Sequence, residues 1–121
     1  MELQRIEGDF TVCKVNDLSQ IDFSGELVFL AKTQEEISLV CPSVDTPAHT
    51  IAAEPGWRGF KVAGILDFSM IGVIANIGGV LAEAGISIFV VSTYNTDYVF
   101  TKAQSFDKAV QALVDGGYVI T

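Results

Sequence analysis

The second half of the chain carries the clearest pattern of hydrophobic positions. From Met70 to Ala84 the apolar residues recur at helical spacing, and Gly85 is well placed to end this helix. Alternating residues from Gly59 to Leu66 predict a strand before the helix. After it, the β-branched and aromatic runs Ile86–Thr93 and Thr96–Lys102 are separated by a short polar break, which predicts a hairpin.

A second helix and a closing strand are predicted after the hairpin. Ser105 is placed to cap this helix, and four apolar residues share one of its faces: Phe106, Ala109, Val110 and Leu113. Two glycines then end the helix, and residues 118–121 predict the last strand. Strand, helix, strand, strand, helix, strand is the order of a ferredoxin-like (βαββαβ) fold, so we expect an α+β domain.

The first half of the chain repeats this order only weakly. Phe10–Val15 predicts a strand, and Leu27–Thr33 with Ile37–Cys41 predicts a hairpin. Residues 17–25, where a first helix should lie, show no sustained helical periodicity. We interpret this half as a degenerate copy of the second. The alternative is an extra hairpin layer added to a single domain.

Pro55 and Gly56 mark the predicted boundary between the halves. They break the element that precedes them, and a new apolar pattern begins at Trp57. The predicted division is therefore a degenerate half at residues 1–56 and a complete domain at residues 57–121.

The charge of the chain argues against nucleic acid as a partner. Among 121 residues there are 15 Asp and Glu but only 7 Lys and Arg, a net charge of -8. Phosphate backbones are held by clustered cations, which this sequence lacks. Most of the excess acid lies in residues 1–56, where it favours solubility or, alternatively, a docking surface for a basic partner.

Candidate chemistry for catalysis or metal binding is sparse. Cys13 and Cys41 lie in no metal-ligand or CxxC spacing, so we expect both to be buried thiols in a reducing compartment. His49 is the single histidine, which leaves little material for a metal site. Polar residues and glycines interrupt the apolar run at residues 71–91, so we expect neither a signal peptide nor a membrane span. We expect a cytoplasmic protein without metal, cofactor or catalytic residues.

The loop after the first strand of residues 57–121 offers partners for both charges of a zwitterion. Asp67 can face an ammonium group, and the free amides at the start of the following helix can face a carboxylate. Alternatively, Asp67 and Ser69 only cap the helix.

A second group of polar residues lies at the predicted hairpin turn. Ser92, Thr93, Tyr94 and Asp97 follow the second strand, which ends beside the first loop in a split βαβ unit. They are expected to close a pocket there, unless they serve only as ordinary turn residues.

Four segments of the sequence can be compared together: Trp57–Val62, Leu66–Ser69, Leu81–Ile88 and Ser92–Tyr98. In this order and spacing they resemble the ACT domains of aspartokinases and, more closely, stand-alone tandem ACT proteins related to arginine-sensing subunits of animal nutrient signalling. The resemblance is specific over residues 57–118 and only suggestive before them.

This resemblance implies two ACT units side by side, with a free amino acid bound at their interface. Asp67 and Gly72 match the acidic residue and the glycine of the ligand loop, although the commoner Asp-x-Pro-Gly form is replaced by a longer loop without proline. The expected ligand-binding residues are Asp67, Phe68, Ser69, Met70, Ile71, Gly72, Ser92, Thr93, Tyr94 and Asp97. The implied protein is an allosteric regulatory homodimer that acts on a partner enzyme or other protein, and is not itself an enzyme.

Two other functions fit the same sequence. A ligand-free interaction subunit would carry a vestigial pocket. A ferredoxin-like hydrolase of the acylphosphatase type would need an arginine in an anion-binding loop and an asparagine to place water, and neither Arg58 nor Asn76 is so placed.

One face of the predicted sheet lacks covering helices. Phe89 and Val91, with Ala63 and Ile65 on the neighbouring strand, would face water in an isolated half. We therefore expect a second subunit, or the first half of the chain, to cover them.

Overall fold

The computed structural model describes residues 1–121 and contains eight strands and two α-helices. The strands are β1 (Glu2–Arg5), β2 (Phe10–Val15), β3 (Phe29–Lys32), β4 (Ile37–Pro42), β5 (Ala52–Val62), β6 (Ile88–Ser92), β7 (Asp97–Lys102) and β8 (Val119–Ile120), and the helices are α1 (Val73–Glu83) and α2 (Phe106–Asp115). The chain divides into two units. We call residues 1–7 with 58–121 the C-terminal unit, and residues 8–57 the N-terminal unit.

The C-terminal unit has the predicted ferredoxin-like order. The last residues of β5 are followed by α1, β6, β7, α2 and β8, which confirms the α+β prediction. β1 is an additional strand that the sequence analysis did not predict. It lies antiparallel to β5, with Leu3 opposite Val62, and parallel to β8. Because β7 pairs with both β5 and β6, the strand order of this unit is β8-β1-β5-β7-β6.

Both helices bury the predicted apolar face in one core. The buried helix residues are Ile77 and Leu81 of α1 and Phe106, Ala109 and Leu113 of α2. They share that core with the buried strand residues Leu3, Phe60, Val62 and Val99. Each fully buried side chain of this size contributes about 1.5–3 kcal/mol relative to exposure. Neither helix has the length and apolarity that a membrane span needs.

Helix α1 begins three residues later than predicted. Met70 is exposed and closes a turn in which its amide donates to the Asp67 carbonyl at 3.0 Å. Gly72 then takes a left-handed φ of 78°, which is not helical, so the helix starts at Val73.

Two further local predictions are corrected. Strand β5 spans Ala52–Val62 rather than Gly59–Leu66, because Gly64 turns the chain with a φ of 87°. Ser105 occupies the N-cap position of α2, but its side chain makes no capping hydrogen bond. A 3₁₀ turn at Ala103–Ser105 leads directly into the helix instead.

The N-terminal unit is an antiparallel sheet without an α-helix. The first residues of β5 pair with β2, and the strand order is β3-β4-β2-β5. The predicted strand and hairpin are confirmed. Residues 17–25, which showed no helical periodicity, form no α-helix but contain a 3₁₀ turn at Leu18–Gln20, with Asp17 as its cap.

Both cysteines lie in the core of the N-terminal unit as free thiols, as predicted. Burial raises the pKa of Cys13, and it raises the pKa of Cys41 to about 11. Both thiols are therefore protonated near neutral pH, which makes them poor nucleophiles and poor metal ligands.

The sheet face opposite the helices, which we expected to be covered, is partly buried in the single chain. Phe89 stacks on the fully buried Phe100, with ring centroids 4.8 Å apart. Ala63, Phe89 and Val91 are half-buried, whereas Ile65 is 77% exposed. Of the four residues that would face water in an isolated half, Ile65 alone is exposed.

We predict opposite stability changes for two glycine-to-alanine substitutions. A Cβ on Gly59 would lie 2.8 Å from the Phe100 ring, so Gly59→Ala should destabilise the fold by about 1–3 kcal/mol. A Cβ on Gly79, inside α1, meets nothing within 4 Å, so Gly79→Ala should stabilise it by about 0.5–1 kcal/mol. Urea denaturation measures both. Equal stability of the two variants would contradict the close packing at Gly59.

Candidate functional site

Two loops at one end of the C-terminal unit line an open cavity of about 360 Å³. One loop connects β5 to α1, and the other is the turn between β6 and β7. The cavity is lined by Leu66, Asp67, Phe68, Met70, Gly72, Val73, Ile74, Ala75, Ser92, Thr93, Tyr94, Asn95, Thr96 and Asp97. We call this the Asp67 cavity.

Eight of the ten predicted ligand-binding residues line the Asp67 cavity. The other two are Ser69 and Ile71. The Ser69 amide is turned towards the Asp67 carboxylate, and Ile71 is 93% exposed and lines a neighbouring cavity with Met70 and Asn76. The binding role of all ten residues remains a prediction.

Two hydrogen bonds hold the walls of the cavity together. The Thr96 hydroxyl donates to the Val62 carbonyl at 2.7 Å, and the Leu66 amide donates to the Asn95 carbonyl at 2.7 Å. Thr96 is buried, so its hydroxyl needs such a partner. The end of β5 is therefore tied to the β6–β7 turn, and the two loops keep a common position.

The first turn of α1 presents free amides to the cavity. The Asn76 amide makes the first intrahelical bond, to the Gly72 carbonyl at 2.9 Å. The amides of Val73, Ile74 and Ala75 have no partner within the helix, and no side chain caps this end. Since all three residues line the cavity, the positive end of the helix dipole faces it. This wall is suited to an anionic group.

Two carboxylates give the cavity its negative side. One oxygen of Asp67 accepts the Ser69 amide at 2.8 Å, and one oxygen of Asp97 accepts the Ser92 hydroxyl at 2.6 Å. The Ser69 amide lowers the pKa of Asp67, which keeps the carboxylate ionised near neutral pH. Asp67 therefore closes a local turn and does not cap α1, which corrects the alternative drawn from the sequence. No Lys, Arg or His lines the cavity.

Exposed apolar side chains occur on the two loops of the cavity, two of them in its lining and two next to lining residues in the chain. Phe68 and Tyr94 form an edge-to-face pair with centroids 5.1 Å apart, one from each loop. Phe68 is 74% and Tyr94 80% exposed, and Ile65 and Ile71 are also exposed. We call these four residues the apolar rim.

Sequence reasoning missed part of the lining. Nothing in the sequence marks Leu66 or Ile74 as part of a site, because both are apolar. Asn95 was missed because it contributes its backbone carbonyl rather than its side chain. The pair Thr93 and Thr96 was a usable signal, because a threonine that bonds to the backbone of its own turn is common in tight turns.

The residues required by the hydrolase alternative lie apart from the Asp67 cavity. The Arg58 guanidinium stacks over the Phe106 ring, 4.1 Å from its centroid. Asn76 lines the neighbouring cavity. No group of three or more His, Cys, Asp or Glu side chains is arranged to hold a metal ion.

We predict that the carboxyl group of Asp67 titrates below its ordinary pKa of 3.8. Because the pKa is lowered in the folded protein, its contribution to stability is present above this value and is lost as the pH falls below it. Asp17 and Asp22, which accept the amides of Ser19 and Ser24, should behave in the same way and serve as internal references. Carbon-detected NMR titration measures the midpoints. A midpoint at or above 3.8 would show that the Ser69 amide does not bond to Asp67 in solution.

A family model for the ACT domain matches residues 52–115, which is more than half of the chain. No curated protein matches the chain.

Several solved structures share the fold. A protein from Agrobacterium tumefaciens is 26% identical with a TM-score of 0.87, and the match covers 99% of this chain and 91% of that protein. A Vibrio cholerae protein of unknown function, described as a possible transport protein, is 24% identical with a TM-score of 0.74, covering 95% and 88%. The ligand-free regulatory subunit of aspartate kinase from Thermus thermophilus is 9% identical with a TM-score of 0.66, covering 94% and 95%. At such low identity the last two show the fold alone.

Proposed function

This chain belongs to the ACT domain family, a family of regulatory ligand-binding modules, and we propose that it binds a free amino acid in the Asp67 cavity. The observation that carries this proposal is the pairing of opposite charges across one cavity. Carboxylates stand on the loop side, and uncapped amides of α1 stand on the helix side. An amino acid carries the two complementary charges.

The cavity favours a neutral or cationic amino acid. Asp67 and Asp97 are both available to positive groups through their second oxygens, and no cationic side chain lines the cavity. An acidic ligand would meet like charge without a compensating cation. The volume of about 360 Å³ lies at the lower end of small-molecule sites and suits a ligand as small as an amino acid.

We propose that the chain is a tandem of ACT units divided between residues 56 and 57, with a degenerate copy before this boundary and a complete copy after it, to which β1 adds a strand. A structural repeat supports this. β4 and β7 begin 60 residues apart and have the same burial pattern, and each is followed directly by a 3₁₀ turn, at Ser43–Asp45 and Ala103–Ser105. An unrelated hairpin layer would not repeat these details at one spacing.

We also propose that two copies of the chain associate and that the ligand lies at an ACT–ACT interface between them. The apolar rim supports this, because its four side chains are between 74% and 93% exposed and two of them, Phe68 and Tyr94, line the cavity. A second copy that covered the rim would bury this surface and close the cavity. Ligand binding and association would then be coupled, which is a means of allosteric control over a partner enzyme.

We propose by similar reasoning that the chain regulates a partner enzyme. A regulatory subunit of aspartate kinase has the same fold over nearly its whole length, and this chain likewise contains regulatory ACT structure without a catalytic constellation in the Asp67 cavity. A cytoplasmic location fits the two free, buried thiols.

We predict that Asp67→Ala weakens amino-acid binding at least tenfold while the stability changes by less than about 0.5 kcal/mol. The residue lies in an exposed loop, so it contributes charge rather than packing. A thermal-shift screen of the standard amino acids identifies the ligand, since a concentration of about 100 times Kd stabilises the fold by about 2.7 kcal/mol. Calorimetry then measures Kd.

Asp22→Ala is the matched control for this experiment. Asp22 accepts the Ser24 amide as Asp67 accepts that of Ser69, but it lines none of the cavities described here. Unchanged affinity in Asp67→Ala would remove the proposed role of this residue. If no amino acid binds the parent protein, the ligand-free interaction subunit becomes the better description.

We predict that Ile71→Asp raises the dissociation constant of self-association at least tenfold without loss of stability, because Ile71 is 93% exposed in the rim. Val44, in the N-terminal unit, is 92% exposed, so Val44→Asp introduces the same charge at equal exposure and should leave association unchanged. Sedimentation velocity over a concentration series, with and without ligand, measures both. A parent protein that stays monomeric under all these conditions would contradict the proposed dimer.

A further inference from the structure

The turn of the Asp67 cavity has a counterpart 60 residues earlier, in the N-terminal unit. The Thr93 amide donates to the Thr96 carbonyl at 2.8 Å, and the Thr33 amide donates to the Glu36 carbonyl at 2.9 Å. In both turns the threonine hydroxyl also accepts the amide three residues later, from Thr96 and from Glu36. The β3–β4 turn therefore repeats the β6–β7 turn in sequence spacing and in hydrogen bonding.

A separate cavity of about 270 Å³ lies at this second turn. It is lined by Lys14, Val15, Asn16, Lys32, Thr33, Gln34, Glu35, Glu36, Ile37 and Ile51. Residues 32–37 correspond one for one to residues 92–97 of the Asp67 cavity. The other wall is also similar in position: residues 14–16 lie at the end of β2, and residues 66–68 lie shortly after the end of β5. We call it the Lys14 cavity.

The Lys14 cavity contains both cationic side chains of its unit. Residues 8–57 include eight Asp or Glu but only two basic residues, Lys14 and Lys32, and both line this cavity. Neither ammonium group is neutralised by an ion pair or hydrogen bond to another residue. The Asp67 cavity, in contrast, has no cationic side chain. The two cavities thus share a position in the repeat but differ in charge.

The difference in charge has a structural reason. In the Asp67 cavity the uncapped amides of α1 can hold an anionic group. The N-terminal unit has no α-helix, and the 3₁₀ turn near its cavity is capped by Asp17. Backbone amides of a helix are therefore not available there, and lysine ammonium groups are the groups that can hold an anion.

The positions of the two lysines favour a ligand with two anionic groups. Lys14 lies opposite Ser38, and Lys32 lies opposite Ile37. Opposed residues share a face of a sheet and consecutive residues alternate, so Lys14 and Lys32 leave the sheet on opposite faces at the same end of the strands. Both lysines nevertheless line the same cavity, so each ammonium group can hold one carboxylate of a molecule that carries two.

We propose that the Lys14 cavity is a second binding site that takes a small dicarboxylate. Lys14 and Lys32 each hold one carboxylate. The Glu36 carboxylate accepts a hydrogen bond from the Ser38 hydroxyl, whereas the neighbouring Glu35 can face an amino group on the ligand. Acidic amino acids are therefore the dicarboxylates that this cavity should prefer. The two cavities would then respond to ligands of different charge.

The test uses the full chain and three probes: aspartate, glutamate and succinate. We expect at least one of them to bind saturably in calorimetry, and Lys14→Gln with Lys32→Gln to weaken that binding at least tenfold. Lys108→Gln is the control, because Lys108 is an exposed lysine outside all the cavities described. Replacing both cavity lysines by arginine keeps the charge and should retain most of the affinity. Circular dichroism melting shows that each variant is folded.

Three results would overturn the proposal: no saturable binding of any probe at millimolar concentration, equal binding in the double glutamine variant, or equally tight binding of inorganic phosphate. The last result would indicate general anion attraction. Asp67→Ala should not change dicarboxylate binding, so this proposal and the amino-acid site fail or stand separately.

Discussion

The hydrogen bond from the buried Thr96 hydroxyl to the Val62 carbonyl is the interaction on which the candidate site depends. Val62 is the last residue of β5, and beyond it the chain turns away at Gly64, so its carbonyl lies where regular strand pairing ends. A buried hydroxyl without a partner would cost about 1–3 kcal/mol, which favours a single position for the β6–β7 turn. Because that turn is held in place, Asp97, Asp67 and the first turn of α1 all line the Asp67 cavity.

The two proposed anion sites would use different groups at the same position of a repeated topology. A helix N-terminus supplies fixed dipoles that need no charged side chain, and it leaves the Asp67 cavity free to carry two carboxylates. Where the helix is absent, the same position in the repeat contains two lysines and a mixed charge. We therefore expect the two cavities to differ in ligand selectivity, because only one of them has an α-helix in its wall.

In the proposed dimer, the apolar rim would connect ligand binding with association. Phe68 and Tyr94 belong both to the cavity lining and to the exposed surface, so a ligand that orders them also changes the surface offered to a second copy. Such shared residues produce a coupling free energy between the two events, and the coupling is necessarily reciprocal. This arrangement needs no large movement of the sheet.

The sequence by itself determined the order of elements, the apolar faces of both helices and the two loops of the site, because hydrophobic period and turn residues are local properties of the chain. It did not determine where α1 begins or that β1 joins the sheet. Only the tertiary structure decided these, since Gly72 takes its left-handed conformation in a particular loop and β1 pairs with strands distant in sequence. Long-range strand pairing, which no local pattern encodes, likewise decided that Thr96 bonds to a residue 34 positions away and that Lys14 and Lys32 line the same cavity.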